Sequence, residues 1–136
     1  MIPSKILILA PYPQGKAASQ RFRFEHFLKY FPEKNLNYTF QSFWSDAAWQ
    51  VLYKKGHLLS KIFFLVEGFI RRAMIIFSVR KFDRVLVHRE LTPIGPPVFE
   101  FLIAKVFSKE IIYDFDDAIW LSNTSRANKI LSGLKQ

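Results

Sequence analysis

Short apolar runs alternate along this chain with stretches of helical spacing. The runs, together with one apolar–polar alternation, predict four strands, at residues 5–10, 36–43, 84–88 and 110–115. The stretches between and after them predict four helices, at about residues 19–30, 46–55, 58–80 and 95–107. This order predicts right-handed crossovers, and therefore an α/β fold with a parallel sheet and helices on both faces.

The helix predicted at residues 58–80 carries a wide apolar arc. Its predicted core stripe consists of Leu58, Ile62, Leu65, Val66, Phe69, Ala73 and Ile76. Glu67 and Arg71 are spaced for an ion pair on the opposite face. The expected place of this helix is between the sheet and a neighbouring helix. The wide arc also suits a helix on a bilayer surface, as do the basic residues Lys61, Arg71, Arg72, Arg80 and Lys81.

Composition narrows the class of protein. Half of the 136 residues are hydrophobic, which is enough for one folded domain, and we place it at residues 1–120 with a tail at 121–136. The chain has no cysteine, which excludes disulfides and thiolate chemistry. The net charge of +9 favours anionic partners. Nucleic acid is not expected among them, because no helix-turn-helix, RNA-binding or zinc pattern is present.

The first loop and helix carry cations where a helix begins. Arg21 and Arg23 fall in the predicted opening turn, close to Gly15 and Lys16. Cations oppose the helix dipole at that position, so their presence makes sense if an anion binds between them. The alternative is that both arginines extend into solvent or pair with acids elsewhere.

The third predicted strand ends in titratable residues. His88, Arg89 and Glu90 follow it, at the edge where α/β sheets bind ligands. The histidine suits substrate binding or proton transfer, or else a structural hydrogen bond at the border of the core. Arg89 is a candidate charge partner for the acids that follow the next strand.

The fourth predicted strand runs into Asp114, Asp116 and Asp117, for which three interpretations stand. The first is the nucleophile and acid/base pair of a Mg²⁺-dependent phosphohydrolase of the haloacid dehalogenase type. The second is the metal-binding D-x-D of nucleotide-sugar enzymes with one Rossmann-like domain. The third is an acidic loop that lines a ligand crevice, with Asp114 bonded to backbone or acting as a cap.

Five segments, taken in order, resemble bacterial family 4 (group 1) glycosyltransferases. They are residues 10–13 (APYP), 18–23 (ASQRFR), 87–90 (VHRE), 93–97 (PIGPP) and 113–120 (YDFDDAIW). The resemblance covers nearly the whole chain, but only the amino-terminal half of such an enzyme. It implies a truncated GT-B fold, in which this Rossmann-like domain binds the acceptor and a second domain binds the nucleotide-sugar donor.

The same resemblance implies roles for individual residues. His88 matches the family's histidine in the D-x-V-x-x-H pattern, and Asp116 and Asp117 fall where many members carry His-Asp, so these three are the candidate catalytic residues. The candidate substrate-binding residues are Gly15, Lys16, Arg21, Arg23, Arg89 and Glu90. Members of this family transfer sugar with retention of configuration, and no metal or resident cofactor is expected.

The chain also departs from the family pattern. Its first loop has one glycine and two prolines instead of a glycine-rich sequence, and Asp-Asp replaces His-Asp. Because the 136 residues do not include a donor domain, we expect them to be inactive alone. The resemblance implies an enzyme of surface or envelope polysaccharide synthesis in the cytoplasm, peripheral to the inner membrane face. The alternative function is a non-catalytic basic module that binds a membrane surface or another anionic partner.

Overall fold

A parallel four-stranded sheet forms the centre of the computed structural model, which describes residues 3–115. Its strands are β1 (Ser4–Ala10), β2 (Leu36–Ser42), β3 (Arg84–His88) and β4 (Glu110–Asp114). Their order across the sheet is β2-β1-β3-β4, and every pair is parallel. This confirms the predicted α/β architecture with four strands at the predicted places. The tail proposed at 121–136 lies outside the described residues.

Helical segments cover both faces of the sheet, as predicted. They are α1 (Ala18–Arg23), α2 (Asp46–Leu52), α3 (Leu58–Phe77) and α4 (Val98–Phe101), with 3-10 segments at Glu25–Tyr30, Pro32–Lys34 and Val79–Lys81 and a π-helical segment at Leu102–Val106. One core cluster joins Ile8 of β1 to Phe24 and Leu28. The other joins Leu7 and Leu9 of β1 to residues of α3, β3 and the π-helical segment. Alternate β1 side chains therefore enter opposite cores, as the two-residue period of a strand requires.

All four helices are shorter than predicted: α2 and α3 each end three residues early, and the other two differ more. The helix expected at 19–30 divides at Phe24, whose backbone (φ −139°) leaves the helical region before the chain continues as a 3-10 segment. The residue that precedes its first turn is Ala17, and no side chain forms a capping hydrogen bond there. The helix expected from residue 95 begins after Pro97, because consecutive prolines restrict the backbone that precedes them.

The buried face of α3 differs from the predicted stripe. Ile76 is buried as expected, but Leu58, Ile62 and Val66 are exposed. The centre of the buried face is instead formed by Gly68 and Arg72. A helical pattern read from hydrophobicity places arginine outside, whereas here backbone carbonyls surround its guanidinium. The predicted Glu67–Arg71 ion pair is present at 4.0 Å.

The strand order creates a point where the connections diverge. From β1 the chain crosses to β2 on one side, and β3 returns to the other side of β1. Loops that leave the carboxyl ends of β1 and β3 therefore run in opposite directions, and sheets of this kind usually bind ligands at that point. Among residues 3–115, no helix has both the length and the apolar character needed to cross a membrane.

Candidate functional site

A histidine–carboxylate pair, formed by neighbouring strands, lies at the carboxyl edge of the sheet. His88 ends β3 and Asp114 ends β4, and the two residues are partners in the sheet register. The His88 Nδ1 atom lies 2.8 Å from Asp114 Oδ2. An ionised carboxylate only accepts hydrogen bonds, so the Nδ1–H group donates and the tautomer of the ring is set by this contact.

Arg23, from the end of α1, completes the cluster. Its Nε–H donates to both oxygens of Asp114, at 2.9 and 3.0 Å, and its Nη2 also donates to Oδ1. The hydrogen bond from Arg23 is the main reason why the pKa of Asp114 is lowered, and the bond from His88 adds to it against the effect of partial burial. Asp114 is therefore held as an anion between two donors.

The imidazole of His88 is fully buried, with 0% of its surface exposed. The ring of Phe24 packs against it with 5.3 Å between centroids. Its second nitrogen, Nε2, has no hydrogen-bond partner in the described part of the chain. With Nδ1 as the donor, a neutral ring presents Nε2 as an acceptor, and a buried acceptor without a partner costs free energy. Nε2 is therefore a buried acceptor that no group among residues 3–115 satisfies.

Gln20 fixes the loop that follows β1. Its side chain is fully buried, accepts from the Tyr12 N–H at 2.9 Å and donates to the Tyr12 carbonyl at 3.0 Å. It also donates to Glu25, whose other carboxylate oxygen accepts from the Gly15 N–H at 2.9 Å. The loop is thereby tied back to the segment after α1.

That arrangement bears on the anion site expected at Gly15, Lys16, Arg21 and Arg23, which stays a prediction. The Gly15 N–H is occupied by the chain's own Glu25 carboxylate. The Nζ atom of Lys16 lies 4.0 Å from Oδ1 of Asp46, and the side chain of Arg21 is exposed on α1. Of the four residues, Arg23 alone joins the cluster with His88, and it binds a carboxylate of the protein.

Arg89 and Glu90 lie beside the cluster. The Arg89 N–H donates to the Asp114 carbonyl at 2.8 Å, with the backbone of Arg89 in the left-handed region (φ 64°). Burial, above all, raises the pKa of Tyr12, while the charge of Arg89 lowers it and that of Glu90 raises it. Both charges are thus near Tyr12. Arg89 stays a candidate charge partner for the acids after β4, of which Asp116 and Asp117 lie outside the described residues. The carboxylate of Asp114 is held by Arg23.

The buried side chain of Arg72 links several segments at the carboxyl end of the sheet. It is fully buried, and its guanidinium donates to the carbonyls of Ala10 and Leu91, each at 3.0 Å, and to Gln41 Oε1 at 2.8 Å. Burial lowers its pKa to about 9, so the group remains charged at neutral pH. One side chain therefore joins the ends of β1 and β2 to the loop after β3.

Sequence reasoning missed several of these residues. It identified His88 from its place at a strand end, but none of its three interpretations of Asp114 paired that residue with His88. It gave no role to Gln20, and it named Arg72 only among the basic residues that suit a helix on a bilayer surface, not as a buried donor to carbonyls. The available signal was register, because His88 and Asp114 both end neighbouring parallel strands. Asp116 and Asp117 lie outside the described residues. Within residues 3–115, no three His, Asp or Glu side chains gather as metal ligands would.

Comparison with protein-family models, with curated proteins and with solved structures found no match to this chain.

Proposed function

We propose that this chain is the acceptor-side domain of a retaining glycosyltransferase. In this proposal the enzyme transfers a sugar from a nucleotide-sugar donor to a surface or envelope glycan. The cluster of Arg23, Asp114 and His88 at the diverging loops carries the proposal. The motif order described above supports it, as does the Rossmann-like sheet.

The chemistry of the cluster suits a sugar hydroxyl. Such a hydroxyl donates a hydrogen bond and accepts one, and Nε2 of His88 lacks a partner. Asp114 sets the tautomer, and Arg23 holds Asp114 in place. A polar group buried without a partner discriminates strongly in favour of a ligand that pairs with it. His88 is therefore the proposed contact to substrate, with Asp114 and Arg23 as positioning residues.

The remaining roles follow from the resemblance. Asp116 and Asp117 stay proposed as catalytic, and the donor is proposed to bind to a second domain without a metal ion. The 136 residues alone are proposed to be inactive, since one half of a cleft does not exclude water from the transfer. The proposed location is the cytoplasmic face of the membrane.

The test uses the three histidines as internal reporters. Imidazole nitrogen resonances of His26, His57 and His88 are followed by NMR during titration with methyl glycosides of glucose, galactose, mannose and N-acetylglucosamine. We expect at least one glycoside to shift the His88 signals, while those of exposed His26 and His57 stay in place.

Two variants, one at the site and one away from it, test whether the response of His88 depends on Asp114. Asp114→Asn removes the anion that sets the His88 tautomer, so the response to glycoside should be lost. Asp46→Asn changes a carboxylate that is 77% exposed beside Lys16, so the response should persist. If no glycoside moves His88, or if all three histidines move together, the proposed acceptor role is wrong.

Two other functions are distinguished by separate measurements. A Mg²⁺-dependent phosphohydrolase would hydrolyse p-nitrophenyl phosphate and lose this activity in Asp114→Asn. The geometry favours it less, because both oxygens of Asp114 already accept hydrogen bonds, whereas a nucleophile needs one available for attack. A non-catalytic basic module would bind anionic partners with unchanged affinity after Asp114→Asn, and no glycoside would shift His88.

A further inference from the structure

The longest helix presents large apolar side chains to solvent. On α3 these are Leu58, Leu59, Ile62, Phe63, Val66, Ile70, Met74 and Phe77, with exposed fractions between 49% and 83%. We call this set the outward face of α3. A contiguous apolar surface of this kind marks an interaction site, because soluble domains rarely expose large patches without a partner.

The outward face is continuous along the helix. Its members recur every three or four positions over a helix of 20 residues, which spans about 30 Å. They therefore form one stripe on the side opposite the buried residues Gly68, Arg72 and Ile76.

No charged side chain of α3 interrupts this stripe. Arg72 is buried against the sheet, and the ammonium of Lys61 donates to the Lys54 carbonyl at 2.6 Å. Glu67 and Arg71 pair with each other along one border, where Glu67 also accepts from Ser45. The charges that α3 carries are thus directed away from the outward face.

Basic residues flank the outward face at both ends. Lys54 and Lys55 precede α3, and Arg80 and Lys81 follow it, all four exposed. The acid on α3 itself, Glu67, is paired with Arg71. The whole chain carries a net charge of +9. An apolar stripe between basic ends complements a surface with anionic headgroups above a hydrocarbon interior.

We propose that the outward face of α3 docks on the surface of an anionic phospholipid bilayer. The helix would lie in the plane of the interface, with its apolar side chains entering about 5–10 Å into the boundary of headgroups and acyl chains. The basic ends would contact lipid phosphates. This inference rests on α3 and its flanks alone and does not depend on the proposed function.

A second copy of the chain fits this surface less well. Two α3 helices packed through their outward faces would bring basic ends against basic ends, whether they ran parallel or antiparallel. Like charges at close range oppose association, and each copy adds its own net positive charge. A bilayer with anionic lipids removes that conflict.

The experiment compares two matched substitutions in a vesicle flotation assay. Phe63→Glu places a charge on the outward face, whereas Phe27→Glu makes the same change on the other side of the sheet, where Phe27 is 56% exposed. The vesicles contain either phosphatidylcholine alone or equal parts of phosphatidylcholine and phosphatidylglycerol. Circular dichroism checks that each variant is folded.

We expect the 136-residue chain to float with the anionic vesicles and only weakly with neutral ones. Phe63→Glu should reduce partitioning by about tenfold or more, and Phe27→Glu should leave it nearly unchanged. Equal loss in both variants, equal binding to both vesicle types, or no binding at all would overturn the proposal. So would a dimer in light scattering that Phe63→Glu dissociates while vesicle binding is absent, since a second copy would then be the occupant.

Discussion

Asp114 joins two side chains that the sequence places far apart. Arg23 is 91 positions away and His88 is 26 positions away, yet both donate to this one carboxylate. The consequence is a dependence of stability on pH. Since the pKa of Asp114 is lowered in the folded state, its contribution is present above the unfolded value near 3.8 and is lost as the pH falls through the folded value.

Asp114→Asn should reveal that dependence. At neutral pH we expect the free energy of unfolding to fall by about 1 kcal/mol, a modest figure because solvent screens a partly exposed pair. Below the unfolded value near 3.8 the difference from the wild type should shrink, because the unfolded chain then takes up a proton at Asp114 before the folded chain does. Urea unfolding between pH 3 and pH 7 provides the measurement. Asp46→Asn is the control, and a gap of constant size across this range would contradict the assignment.

Arg72 and Arg71 are adjacent in sequence but differ in environment, which allows a direct comparison. Arg72→Lys keeps a positive charge but cannot reach carbonyls on three separate segments, so we expect a loss of about 3 kcal/mol in unfolding free energy. Arg71→Lys, at the partly exposed border of α3, should change it by less than about 0.5 kcal/mol. Chemical denaturation of both variants tests this, and similar effects in the two would show that the buried hydrogen bonds of Arg72 matter little.

At the scale of elements, α3 approaches the chain after β2 at a glycine. A Cβ atom on Gly68 would lie 2.5 Å from Cε1 of Phe43 and 2.7 Å from Cζ. The Phe43 ring is itself held edge-on against Trp44 and Phe69, with centroids 5.1 and 5.4 Å away. Little room is therefore left for the ring to move aside.

Gly68→Ala should therefore destabilise the protein despite the better helix propensity of alanine. Overpacking costs about 1–3 kcal/mol, against a propensity gain of about 1 kcal/mol, so we expect a net loss near 1 kcal/mol. Thermal unfolding shows whether the substitution lowers or raises the stability of the protein. In a Phe43→Leu background, where the ring is absent, the same substitution should become neutral or stabilising, and an unchanged loss there would refute the steric cause.

Strands were easier to predict from sequence than helix ends. The strands β1 and β3 are continuous apolar runs between turn residues, and such runs leave few alternatives. The end of α1 at Arg23 was not predictable in the same way, because Phe24 and Leu28 keep helical spacing while the backbone changes to a 3-10 segment. The buried side of α3 was only partly predictable. The hydrophobic pattern alone does not show that backbone carbonyls at this place accept hydrogen bonds from a buried arginine, Arg72.

At the scale of the whole molecule, the order of elements was enough to predict the parallel sheet and its two covered faces. The site was predictable only in part. Position at a strand end identified His88, but the pairing of Arg23 with Asp114 depends on how α1 packs across the sheet. Such a packing detail is not contained in local spacing.

The expected inactivity of this chain follows from the proposal that acceptor and donor bind to two different domains. We expect the 136 residues alone to show no turnover in a radiolabelled sugar-transfer assay with nucleotide-sugar donors, because nothing closes over the donor to keep water out. Sustained transfer by this chain alone would contradict the two-domain interpretation. His88 titration with glycosides, described above, serves as the control that the preparation is competent to bind.

The separation of 91 positions between Arg23 and Asp114 also affects how the protein folds during its synthesis. During synthesis, nearly the whole described chain must leave the ribosome before these two side chains can meet. Contacts this distant along a polymer tend to slow its folding search. The cluster therefore forms late in folding, when β4 joins the sheet. It cannot form in a nascent fragment that ends before β4.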